Sequence, residues 1–101
     1  MEKIALSKHA EKRAAQRGID ERQIKICLEF GEQFHRTGAM FFMITKKCLK
    51  NLKHSVGAYM SRLDGIVVVG YSQSDFFLVT TVYKNNNALK EIKKKAKRSY
   101  K

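Results

Sequence analysis

"SKHAEKRAAQRGIDERQIKICLEFG", Ser7 to Gly31, is the stretch on which the fold turns. Ser7 is a favoured N-cap type, and Gly18 can take the left-handed conformation that closes a helix. The spacing predicts a helix from about Lys8 to Arg17. Asp20 then caps a second helix, with Gln23 three residues later as a capping box prefers. Ile24, Cys27 and Leu28 recur at helical spacing until Gly31 ends the pattern. Ile19 lies between the helices, where it can pack against both. Ala10 and Ala14 form a stripe of small residues that lets the first helix lie close to a sheet.

Beyond Gly31 the period changes. Gln33 to Arg36 and Met40 to Ile44 read as strands around a Thr37-Gly38 turn. Thr45 can cap a short helix, "TKKCLKNLKH", with Cys48, Leu49 and Leu52 as its apolar stripe. Val56 to Leu63 is ambiguous. Asp64-Gly65 marks a turn, and "IVVVGY" from Ile66 reads as a buried central strand. After "SQSD", "FFLVTTVY" from Phe76 to Tyr83 is a further strand. So short a turn makes this pair antiparallel. In the closing segment, Ala88, Leu89, Ile92 and Ala96 can dock the start as a helix, and the end is expected to be mobile.

At 101 residues, one domain is expected, and 44% apolar residues argue against disorder. No apolar run reaches membrane-spanning length, and Met1-Glu2-Lys3-Ile4 does not open a secretory signal. A soluble cytoplasmic protein is expected. The net charge of +12 points to a polyanion, nucleic acid first, or to an acidic protein partner. No strongly amphipathic helix supports a membrane partner. Cys27 and Cys48 lack zinc-site spacing, and Cys27 falls on a buried helix face. No phosphate-binding glycine motif or G-x-S-x-G elbow is present, and acids are too few for a paired-carboxylate mechanism. Neither a metal nor a cofactor is expected.

Three segments can carry chemistry. At about 100° per residue, His9, Arg13 and Arg17 fall within an arc of about 80° on one helix face. Arginine grips phosphate oxygens with a planar fork, and histidine exchanges a proton near neutral pH. The same row also fits the wet side of an ordinary helix. In "TTVYK", Thr81 and Tyr83 share one side of a strand and can orient a phosphate or donate a proton, although both are also simply good strand residues. In "FHRTG", Arg36 can add to a phosphate patch at a hairpin end. From Ala88 to Lys101 there are seven basic residues and one acid, a net of +6. Lys90, Lys93, Lys94, Lys95, Lys97 and Arg98 there, with Lys84 just before, would give sequence-independent, salt-sensitive binding to a phosphate backbone. Tyr100 could stack on a base.

Together these segments carry a resemblance. "SKHAEKRAAQRGIDERQI" resembles the opening of a small bacterial domain family with the pattern H-A-x2-R-x3-R-G-I. Segments like "FHRTGAMFF", "GIVVVG", Thr81-Val82-Tyr83-Lys84-Asn85 and "ALKEIKKKAKR" follow in the same order. That family is grouped with the RelE/ParE-like toxins, within the barnase-like and colicin-like ribonuclease fold. The resemblance implies an α+β fold: two N-terminal helices packed on a twisted antiparallel sheet. About four strands, with a basic C-terminal helix or tail over residues 88–101, complete one domain over residues 1–101.

It also implies a metal-independent RNA endonuclease of a toxin–antitoxin pair, acting on RNA at the ribosome and covered by an acidic antitoxin. His9, Arg13, Arg17, Thr81 and Tyr83 would form its catalytic groove. His9 would move the proton, with Tyr83 as the second proton-transfer group. A nucleic-acid-binding module without catalysis, or a toxin acting on a protein such as gyrase, fits the same features.

Overall fold

The computed structural model describes residues 3–56 and 60–95. In chain order the elements are β1 (Lys3–Leu6), α1 (Lys8–Arg17), α2 (Glu21–Phe30), β2 (Glu32–Arg36), β3 (Ala39–Met43), α3 (Lys46–Val56), α4 (Met60–Leu63), β4 (Ile66–Ser72), β5 (Phe76–Lys84) and α5 (Ala88–Lys94).

The helix pair forms as its caps dictate. The Ser7 side chain accepts from the Ala10 N–H, and Gly18 sits at φ 66° with its N–H directed at the carbonyls of Ala14 and Ala15. Asp20 and Gln23 complete a reciprocal capping box, each side chain accepting from the other's backbone N–H at 2.8 Å. Gln23 is itself buried, and its Nε2 donates to the Arg62 carbonyl at 2.6 Å, tying α2 to α4. The β2–β3 hairpin turns through Thr37 (φ 52°) and Gly38 (φ 82°). Two positive φ values in a two-residue loop match the twist of the flanking strands. Thr45 caps α3 by accepting from the Cys48 N–H at 3.2 Å, and Cys48, Leu49 and Leu52 are buried as the expected stripe.

The fold is α+β, with helices packed against an open sheet of order β1-β5-β4-β3-β2. The four expected strands are antiparallel neighbours. A fifth, β1, adds to the edge in parallel with β5, pairing Ile4 with Phe77 and Leu6 with Val79. It makes the sheet mixed rather than wholly antiparallel. Its four residues are too few to show a strand period.

Each sheet face carries its own core. On the first face, Ala10 and Ala14 of α1, Ile24 and Cys27 of α2, and Leu49 and Leu52 of α3 pack over Phe42, Val68, Phe77, Val79 and Val82. On the second face, Ala88 and Ile92 of α5 pack with Phe41, Met43, Val67 and Val69. Ile19 is buried at the junction of α1 and α2. Among the described residues, no helix is long and apolar enough to cross a membrane.

Candidate functional site: a basic and aromatic sheet face

Strand β5 decides which polar groups share a site. Phe77 and Val79 point to the first face, beneath α1. Simple alternation from there would place Thr81 and Tyr83 on the same face. Instead the ladder to β4 shifts: Gly70 pairs with Val79, but Val69 pairs with Thr81, leaving Thr80 as the extra residue of a bulge. Thr80 is held there by its Oγ1, which donates to the Val69 carbonyl at 3.2 Å. Beyond the bulge the strand is rephased. Val82 pairs with Val68 on the first face, while Thr81 and Tyr83 pair with Val69 and Val67 on the second.

The five residues expected to form one groove therefore do not meet. His9, Arg13 and Arg17 lie on α1, whose Ala10 and Ala14 pack on the first face. Thr81 and Tyr83 lie on the second. Within the α1 row, the Arg13 Nε donates to the His9 Nε2 at 3.5 Å. His9 and Arg17 are exposed, and Arg13 is half-buried. Arg17 occupies the last turn, where a cation also complements the helix dipole.

The second face is laid out in rows set by the strand register. One row runs Glu32, Met43, Val67 and Tyr83; the next runs Phe34, Phe41, Val69 and Thr81. These rows carry the residues under α5. Next come two pairs, Arg36 with Ala39 and Tyr71 with Leu78, which lie one residue past Met40 and Gly70, the last β3–β4 partners. Alternation with Val67 and Val69 puts Tyr71 on this face, and it is 42% exposed. Extending the β3–β4 register by one residue sets Ala39 opposite Tyr71, which puts the backbones of Arg36 and Tyr71 about 9.5 Å apart, two strand spacings.

Arg36 is held in place. Its guanidinium lies 5.5 Å from the Phe34 ring centroid, and Nη1 donates to the His35 carbonyl at 2.8 Å. Its Nε is buried with no hydrogen-bond partner among the described residues. Alongside, α5 presents exposed Lys90, Lys93 and Lys94, and the Lys95 Nζ lies 5.8 Å from the Phe41 ring centroid. Lys84 pairs with Ile66, which belongs to the first-face core, so it does not join this group. Lys97, Arg98 and Tyr100 lie outside the described residues.

Tyr83 is half-buried against the α5 core. Burial, and secondarily the Glu91 carboxylate, push its phenol above the ordinary value of 10.0. It is therefore a protonated hydrogen-bond donor at neutral pH. Burial raises the Cys27 thiol even more strongly. Its Sγ sits 3.3 Å from the Phe42 carbonyl, an inert core position rather than a nucleophile. Among the described residues, no group of three His, Cys, Asp or Glu side chains is placed to hold a metal ion. An apolar cavity of about 330 Å³ opens on the first face between Ile4, Leu28, Met40, Phe42 and Phe77, rimmed by Gln33 and Ser72. Among the described residues, no charged side chain lines it.

Tyr71 and Phe34 are the members of this surface that sequence reasoning missed. "IVVVGY" is continuously apolar, so it gives no alternation from which to assign Tyr71 a side. Its position at the polar end of the run was the available signal.

Residues 6–84 match a family described as a domain of unknown function, DUF4258. No curated protein and no solved structure matches the chain.

Proposed function

We propose that this chain, which belongs to the DUF4258 family, binds single-stranded RNA on the second sheet face. The observation that carries the reading is the placement of Arg36 and Tyr71. A fixed guanidinium, Arg36, and an exposed ring, Tyr71, flank a single alanine beside the lysines of α5. A phosphate on Arg36 and a base on Tyr71 would use a cation and a π-face at a separation suited to one nucleotide. A strand continuing across the face would meet Lys93, Lys94 and Lys95. RNA is the polymer implied by the resemblance of the chain to a family grouped with RelE/ParE-like toxins, within a ribonuclease-type fold. An acidic protein partner would compete for the same cations.

The test is fluorescence anisotropy with a labelled oligouridylate. Tyr71→Ala should weaken binding by about 1–3 kcal/mol, the usual worth of one base–aromatic stack. Arg36→Gln should weaken it and make it less sensitive to salt. Affinity unchanged in both variants would rule out this face.

One observation favours a second reading, metal-independent cleavage of the bound RNA. Thr81 and Tyr83 share the second face, so their two hydroxyls can meet one phosphate. On this reading Tyr83→Phe abolishes cleavage but keeps binding. His9, across the sheet, takes no part. If gels of RNA incubated with wild type and ribosomes show only intact RNA, binding without cleavage stands.

A further inference from the structure

Two groups of cations lie on surfaces that the sheet keeps apart. On the second face lie the lysines of α5 with Arg36. On the first, α1 buries only Ala10 and Ala14 and leaves Lys8, His9, Lys12 and Arg17 exposed, with Arg13 half-buried beside them. Among the described residues, Lys8, Lys12, Arg13 and Arg17 form no ion pair with an acid. Glu11, the one acid of α1, lines the groove shared with Glu21 of α2.

The outward cations are regularly placed. Lys8 and Lys12 form one column, and His9, Arg13 and Arg17 form the next. Successive members rise about 6 Å, four residues at 1.5 Å each. That matches the step between phosphates of an extended strand. Both ends of the helix are capped, so the backbone that carries the column is preorganised. The Arg13 Nε donates to the His9 Nε2 at 3.5 Å, which links these two members of the row.

We propose that the outer face of α1 is a second phosphate-backbone site, so that one chain bridges two separate RNA segments across its sheet. This rests on RNA binding at the second face and adds a function that a single face cannot perform. The α1 row has cations but no exposed aromatic ring, so it grips backbone without stacking bases and is the more salt-sensitive of the two sites.

The experiment uses the full chain with two short oligouridylates, one labelled with a donor and one with an acceptor. Each is about eight nucleotides, within the roughly 4–16 that one small binding fold occupies. Wild type should produce energy transfer that rises with protein and falls again at excess, as each RNA acquires its own chain. Arg13→Gln/Arg17→Gln should lose at least most of that transfer while anisotropy still reports binding at the α5 face. Circular dichroism confirms that this variant is folded, which the exposure of Arg17 and the solvent side of Arg13 favour. Lys90→Gln/Lys93→Gln/Lys94→Gln should lose transfer from the other side. Binding by wild type without transfer overturns bridging alone. So does transfer that survives in the Arg13→Gln/Arg17→Gln variant, which would mark self-association of the chain. No anisotropy change with wild type overturns RNA binding, and bridging with it.

Discussion

Tyr83 shows how burial sets a side chain's chemistry. Its phenol titrates above 10.0 because the charged form would lose solvation and face Glu91. In the unfolded chain the proton leaves earlier. Above pH 10.0 the unfolded state therefore binds fewer protons, and stability falls as pH rises through the folded value. Below that window the contribution is fully present. Tyr83→Phe should flatten the alkaline loss of stability while leaving the neutral-pH value much less affected, as measured by urea denaturation at a series of pH values.

Gly70 is constrained differently. A Cβ there would press on the Leu78 carbonyl and meet the Phe77 ring at 2.7 Å. Gly70→Ala should cost about 1–3 kcal/mol as an overpacked site, seen as a lower urea midpoint with an unchanged slope.

The bulge in β5 is the element-scale event that separates the candidate groups. Deleting Thr80 would remove the extra residue, so that Thr81 follows Val79 directly, Val82 stays in the first-face core and Thr81 and Tyr83 stay on the second. The shortened chain is expected to fold, read as retained near-ultraviolet dichroism and cooperative unfolding. Thr80→Val keeps the residue count and should remain folded, losing about 1 kcal/mol with the bond to the Val69 carbonyl.

Much of the element plan was legible. Ser7, Gly18, Asp20 and Gln23 each have a local, short-range reason for their place. The bulge had no such signature: Thr80 and Thr81 are equally good strand residues, and only the distant register with β4 decides which is left over. Strand β1 was hidden for the same reason, because Lys3–Leu6 becomes a strand only through β5. The row His9, Arg13 and Arg17 was correctly placed on one helix, but its meeting with Tyr83 depended on a strand phase that alternation alone misassigns.

At the scale of the whole molecule, two basic surfaces on opposite faces mean that net charge and local charge act differently. Binding should weaken linearly in log affinity with log salt, with a slope set by the phosphates neutralised rather than by the total of +12. Exchanging Lys93 and Lys94 for glutamine should reduce that slope by about 0.7 for each lost contact to a single strand. An unchanged slope in an anisotropy titration would place the RNA elsewhere.

The parallel edge strand has a consequence for the life of the chain before it is folded. Ser7 reaches the backbone of Thr80 across 73 residues, so β1 has nothing to pair with until β5 has left the ribosome. The α1–α2 hairpin emerges first, with its alanine stripe and Ile24 still wet. Closing so long a loop is entropically late. The native edge is therefore the last strand zipped. A nascent chain halted before Phe76 would leave the alanine stripe of α1 uncovered, a state for which chaperones rather than RNA are the natural company.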